Sequence, residues 1–459
     1  MGYRPLGECI ESVIDHRGLT PKKLGGDWSQ FGYRALSAKN VKNGALVQED
    51  AMNRVSNEMY HRWMPEEVER GDVFITSEAP FGEVLYWDSD EKLVLSQRVF
   101  GLKVNRDICD SRYLYYWMQS PFFQGELRGR ATGTTVVGLR QPELLRCTVK
   151  LPARDIQTAI AHVLGAIDSK ITLNKQINGY LEDAMQTLYH NVFANDNSRT
   201  VGSIYDIAEV VYGAAFKSTL FNEGGDGFPL IRIRDLSTFK PQCYTTEENP
   251  KRTIINPGDV IAGMDAEFRP TFWLGDRALL NQRVCYFKPP ENSCITPSYL
   301  LCALKPLLAF IQNYATGTTV AHLGKTDLEA LDVPMPDEER LSQFTMNAEP
   351  MRLMIVSNAQ ENRRLEALRD SLLPRLMSGE IDVSKVDLTQ LNSHLVVSSH
   401  RLPGHLIDPP IRVARLKSNR PHRRPHISEF RHPSETQQRA SLSTTRQRPC
   451  RSSPLPKKW

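Results

Sequence analysis

The chain lacks paired cysteines at CxxC spacing and any His/Cys cluster at zinc-ligand spacing. Its eight cysteines (Cys9, Cys109, Cys147, Cys243, Cys285, Cys294, Cys302, Cys450) are scattered along 459 residues, which reads as free thiols in a reducing compartment. No stretch approaches the roughly 18 uninterrupted apolar residues of a membrane span. The first residues, MGYRPLGECIESV, hold no apolar run of signal-peptide length. The expectation is a cytoplasmic, globular, multidomain protein with no membrane contact.

A basic body is also missing. The net charge is +4, but residues 401–459 hold 14 Lys+Arg against Asp408, Glu429 and Glu435, leaving 43 basic and 50 acidic residues in 1–400. Any binding of a polyanion by the body must therefore use local patches rather than its average charge.

Catalytic signatures are missing too. A base-flipping methyltransferase needs an aromatic ring in a short Pro-Pro loop to stack the extruded base; Asp408-Pro409-Pro410-Ile411 has no ring. Gly324-Lys325-Thr326 ends like a phosphate-binding loop, but position 319 is Thr where GxxxxGK[ST] needs Gly. Asp337-Glu338-Glu339 and Asp88 to Glu91 read as helix caps and turns rather than metal-binding carboxylate pairs, and His162 and His190 as residues on or beside a helix.

What is present is a duplication. Ala131-Thr132-Gly133-Thr134-Thr135-Val136 recurs as Ala315-Thr316-Gly317-Thr318-Thr319-Val320, an offset of 184. Gly71-Asp72-Val73 matches Gly258-Asp259-Val260 (187), Gln97-Arg98-Val99 matches Gln282-Arg283-Val284 (185), Tyr113-Leu114 matches Tyr299-Leu300 (186), and Leu151-Pro152 matches Val333-Pro334 (182). Five matches in one order make chance a poor account.

Each copy is a β-rich stretch with Gly, Pro, Asn and Asp turns, followed by a helix. In the first helix, expected from about Ala153 to Phe193, Ile160, Leu164, Ile167, Ile171, Asn174, Asn178, Leu181, Met185 and Leu188 keep the 4-3 spacing of a coiled-coil seam. In the second, Met351, Met354, Asn358, Glu361, Leu365, Leu368 and Leu372 keep it, with Pro350 limiting the start and Gly379 capping the end. The expected arrangement is an antiparallel pair holding two globular regions apart. The other reading is two amphipathic helices, each packed on its own domain. From about Leu388 the composition turns to Pro, Arg, Ser, His and Thr, as expected for a disordered tail.

The strands lead into polar loops, Thr76 to Gly82 and Ala262 to Thr271, each followed by a Gln-Arg pair. Arg forks onto guanine, Gln pairs with adenine, and Ser, Thr and backbone N–H groups reach phosphate. The candidate DNA-contacting residues are Ser77, Gly82, Gln97, Arg98, Thr134 and Thr135 in copy one. In copy two they are Arg232, Arg234, Arg269, Gln282, Arg283, Thr318 and Thr319.

Two copies closed by ATGTT, each leading through a Pro-containing link into a long helix, resemble the specificity subunits of type I restriction–modification systems. Leu151-Pro152 with Asp155-Ile156-Gln157 and Ile160 is similar to the family's first helix start, and Leu372-Leu373-Pro374-Arg375-Leu376-Met377-Ser378-Gly379-Glu380-Ile381-Asp382-Val383 to the end of its second helix. The match covers about residues 1–387. The second link, Val333-Pro334-Met335-Pro336, departs from it in lacking the Gln near its helix start.

The resemblance implies a mixed α/β fold: target-recognition domain 1 (1–150), a first spacer helix (151–198), target-recognition domain 2 (199–335), a second spacer helix (336–387) and a basic tail (388–459). It implies a non-catalytic protein that reads a bipartite site in double-stranded DNA and docks two methyltransferase subunits and the restriction subunits. S-adenosylmethionine, ATP and Mg²⁺ would come through those partners, none bound directly. The alternative from another class is a non-catalytic helical scaffold, or a degenerate specificity protein that no longer reads DNA.

Overall fold

The computed structural model describes residues 2–133, 137–193, 200–315 and 322–383, all within one compact unit, Met1–Arg401. The residues from 384 onward, which include the expected tail, lie outside this range.

Each copy is built on an antiparallel four-stranded sheet. In copy one the order is Ile10–Asp15, Val99–Val104, Val73–Thr76, Val84–Tyr86; in copy two it is Glu209–Tyr212, Val284–Lys288, Val260–Gly263, Thr271–Phe272. The central strands are buried on both faces, as Val73, Phe74 and Ile75 are in copy one. Their apolar residues therefore run without alternation. Outside this sheet each copy carries a second one, of three strands in copy one and five in copy two, with a parallel pair in matching positions, Ala35 with Val94 and Leu230 with Leu279.

The first long helix runs Arg154–Phe193 and the second Glu338–Ser378. They pair antiparallel: Asp168 meets Arg369 at 2.9 Å, Asn174 meets Asn362 at 2.9 Å, and Asn178 meets Asn358 at 2.8 Å. Copy one packs on the start of the first helix and the end of the second, in a core joining Trp117 and Leu144 to Ile160, Leu164, Leu376 and Met377. Copy two packs on the opposite ends, where Met185 and Phe193 meet Tyr299, Leu341, Phe344 and Ile355. Each large apolar side chain buried there contributes about 1.5–3 kcal/mol. Those two cores hold the recognition regions at the two ends of the helix pair.

The second helix differs from the expectation in two ways. It begins at Glu338, where the Asp337 carboxylate accepts the Arg340 N–H at 2.8 Å, and it continues through Pro350. An interior proline costs about 3 kcal/mol or more. Here its ring sits on the exposed face, while Ala348 and Ile355 anchor the opposite face.

The seam is also shifted. Leu368 and Met354 are 47% and 45% exposed, so neither lies on it. Leu365 and Leu372 are half-buried on it, and the other row is Ala348, Ile355, Asn362, Arg369 and Leu376. Adding the repeat offset of 184 to the first helix's seam yields this set: Phe344, Ala348, Met351, Ile355, Asn358, Asn362, Leu365, Arg369, Leu372. On the first helix Ile160, Leu164, Ile167, Ile171, Asn174 and Met185 are buried, and Leu181 and Leu188 half-buried.

The helix pair is polar at its centre and apolar at its ends. Asn362 donates to the Ile171 carbonyl at 3.3 Å and Asn178 to the Ile355 carbonyl at 3.1 Å; these bonds, like Asn174–Asn362 and Asn178–Asn358, interchange under the 184 offset. A pseudo-two-fold axis therefore passes among four asparagines. A polar group on a seam costs stability but fixes register, because any slip leaves it unpaired. Gly379 (φ +81°) ends the helix in the left-handed conformation that favours glycine, and Lys150 of copy one donates to the Ser378 carbonyl at 2.7 Å.

Candidate nucleic-acid interface

The Gly-Asp-Val motif makes a structural corner. Gly71 and Gly258 have φ of +98° and +92°, and the next carboxylates, Asp72 and Asp259, accept the N–H groups of Glu69 at 2.8 Å and Asn256 at 2.7 Å. Burial pushes both carboxyls above their ordinary range. Trp87 and Trp273 close the corner by donating to the carbonyls of Asp72 and Asp259. The corner aims the next strand at a rim on its far end.

That rim is built alike in both copies. The Ser77 N–H bonds the Arg98 carbonyl at 2.8 Å and the Met264 N–H the Arg283 carbonyl at 2.9 Å. Arg98 and Arg283 both have positive φ, 66° and 72°. Left-handed backbone is uncommon for residues other than glycine, and at about 1–3 kcal/mol it persists where the surroundings hold it. Each arginine is exposed and steadied by a carboxylate, Arg98 by Glu78 at 3.1 Å and Arg283 by Asp265 at 3.2 Å. In copy two His322 also meets Asp265, at 2.6 Å. Exposed pairs of this kind are worth about 0–1 kcal/mol, so a base edge or phosphate can take over the guanidinium.

Two further segments join the rim. Leu139 N–H donates to the Ser77 carbonyl and Leu323 N–H to that of Met264, while Thr132 and Gly138 exchange both backbone bonds. These bonds tie Leu139 and Leu323 to the rim. Thr134, Thr135, Thr318 and Thr319 themselves lie outside the described residues.

On the other side, the turn Ala38–Asn40 is tied to the Gln97 carbonyl through the Ala38 N–H at 3.1 Å and presents an exposed Lys39. Its counterpart, Ile233–Asp235, presents Arg234. Both turns are boxed the same way, Asn40 accepting from the Ser37 N–H and Asp235 from the Arg232 N–H.

Gln97, Arg98, Gln282, Arg283, Arg234 and Arg269 are exposed. Ser77 and Gly82 are buried and do not face solvent. Ser77 belongs to the strand end, and a Cβ on Gly82 (φ +72°) would press on Gln124 and Leu127 at 3.0 Å. Arg232 is half-buried and serves its own turn through Asp235. Lys39, Glu78, Asp265 and His322 were not among the sequence candidates; the offset that aligns Glu78 with Asp265 was the available signal. Among the described residues no three His, Cys, Asp or Glu side chains gather where they could hold a metal ion.

The family model described as "Type I restriction modification DNA specificity domain" matches residues 4–183 and 199–344. The chain is 33% identical over 166 residues to the specificity subunit of the type I restriction enzyme EcoBI of Escherichia coli, covering 36% of this chain and 34% of that subunit. It is 24% identical over 354 residues to the MjaIX specificity subunit of Methanocaldococcus jannaschii, covering 69% of this chain and 79% of that one. The fold is similar to the crystal structure of the type I restriction–modification S subunit from M. genitalium, with a TM-score of 0.51 and 15% identity over 82% of this chain and 95% of that one.

Proposed function

Because this chain belongs to the type I restriction–modification DNA specificity family, we propose that it reads a bipartite duplex target, one rim to each half-site, and catalyses nothing itself. The observation that carries this reading is the pair of equivalent Arg–carboxylate rims on two bodies fixed at opposite ends of one antiparallel helix pair. From Leu164 to Met185 the helix rises about 32 Å at 1.5 Å per residue, close to the roughly 34 Å of one turn of B-DNA. A spacer of that length suits two half-sites about a turn apart.

The acidic body fits a protein with protein partners. Leu173 and Tyr180 on the first helix, with Met346, Leu353, Met354 and Leu368 on the second, are exposed apolar side chains on the outside of the pair. Such a surface supports docking of two methyltransferase subunits, with restriction subunits joining through the assembly. S-adenosylmethionine, ATP and Mg²⁺ would enter with those subunits. No described helix is long and apolar enough to cross a membrane, which agrees with a cytoplasmic site of action.

Selection from a random duplex pool, with the chain in complex with its methyltransferase, tests the proposal. Enrichment of two short motifs separated by a fixed gap is expected. A single unbroken motif, or none, contradicts it and favours a scaffold that does not read DNA.

A further inference from the structure

A cavity of about 640 Å³ opens where copy one meets the first spacer helix. It sits by Gly71, at the start of the strand Val73–Thr76, whereas the rim lies past that strand's end. The DNA reading therefore does not use it. Arg70, Arg106, Arg112 and Arg154 line it against one carboxylate, Asp110.

The four arginines are not equally engaged. Arg70 is held by Asp88 at 2.6 Å and Asp90 at 2.9 Å, and Arg112 by Asp88 at 2.7 Å. Among the described residues Arg106 makes no ion pair and spends its guanidinium on the Arg70 carbonyl at 2.5 Å; Arg154 donates to the Arg106 carbonyl at 2.8 Å and has Asp110 only at 3.9 Å. Two guanidinium groups are thus left without a close carboxylate. The first spacer helix, which carries Arg154, adds Ala161, Gly165 and Ala166 to the lining, with Arg112 packed against Gly165.

Copy two does not repeat these charges. The 184 offset puts Glu349 where copy one has Gly165 and Glu338 where it has Arg154. Glu349 accepts from the Ser298 hydroxyl at 2.8 Å and from Arg352 at 2.8 Å, and Arg352 reaches the Gly258 carbonyl at 3.4 Å. Copy two thus supplies its own carboxylate at this junction, whereas copy one supplies arginines, among them Arg112 packed against Gly165.

We propose that the groove of copy one binds an acidic segment of a partner protein, once per chain. Its carboxylates pair with Arg106 and Arg154. The chain's own C-terminal residues do not suit it, since 401–459 are strongly basic. The inference stands apart from the DNA reading, and it makes the two ends of a pseudo-symmetric molecule unequal to their partners.

Arginine footprinting with phenylglyoxal on the full chain, read residue by residue by mass spectrometry, tests this with a deca-glutamate peptide as the probe. The peptide should slow modification of Arg106 and Arg154 at least five-fold. Thr158→Glu, at an exposed helix position lining the groove, should remove that protection while leaving the thermal unfolding midpoint in place, and Arg154→Ala should strip it from Arg106. Unprotected Arg106 and Arg154 in the wild-type chain would overturn the proposal. So would protection by a random-sequence duplex or inorganic phosphate and not by the peptide, because the groove would then be a phosphate site.

Discussion

The two copies are alike at the rim and unlike at the root. At the rim a left-handed arginine, an acidic partner and a boxed turn recur, with Lys39 exchanged for Arg234, Glu78 for Asp265, and His322 added in copy two. At the root, where each copy meets a spacer helix, copy one presents an arginine-lined groove with Arg112 packed against Gly165, and copy two places the Glu349–Arg352 pair there. The difference separates what both half-site readers need, a rigid way to present a cation, from what each end needs of its own neighbours.

The comparison breaks most easily at the two cores. Phe344→Ala and Ile160→Ala remove side chains related by the repeat offset, both buried at opposite ends of the helix pair. The first should cost about 3–5 kcal/mol and the second about 2–5 kcal/mol, each read from the denaturant midpoint. If either is nearly neutral, its copy is not held by the spacer.

At the centre, Asn362→Ala leaves Asn174 with only its Glu361 bond and should cost about 1–3 kcal/mol. Asn358→Ala, which removes the half-buried bond to Asn178, should cost less. Equal losses, measured the same way, would mean that burial does not set the worth of these bonds.

A smaller contrast is in pH. In copy one Glu126 accepts from the Thr148 N–H and hydroxyl and from Arg130. Burial pushes its carboxyl up, but these bonds outweigh it and hold it below the ordinary value. Since the folded value lies below the unfolded one, this contribution is full above the unfolded value and is lost as pH falls through the folded one. Copy two has Phe310 at the matching position. Glu126→Gln should therefore flatten the acid limb of stability against pH, and Phe310→Gln should not; acid titrations of the unfolding midpoint compare them.

At the rim, Arg98→Ala and Arg283→Ala should each relax one half-site, by about 1–3 kcal/mol, and leave the other intact. Selection from random duplexes reads this directly.

Much of this architecture was legible in the sequence because duplication repeats letters and a long helix repeats a period. The first seam follows from spacing alone. The second could not, because Met354, Glu361 and Leu368 give an acceptable period one residue away from the real row; only the offset, which places Asn358 and Asn362 opposite Asn178 and Asn174, separates the two. Ser77 and Gly82 read as loop residues, yet they belong to a buried strand end and a packed turn, and burial of a short strand leaves no periodic trace. Lys39 was hidden for the opposite reason: a single exposed lysine carries no pattern, and only the boxed turn shared with Arg234 marks it.

The central claim is that the helix pair is a ruler between two independent readers. Inserting one heptad in the first helix between Ile171 and Leu181, with a matching heptad between Ile355 and Leu365, lengthens the pair by about 10 Å. The selected target should keep both half-sequences and gain about three base pairs between them, at 3.4 Å each. An unchanged gap, or altered half-sequences at an unchanged gap, would contradict it.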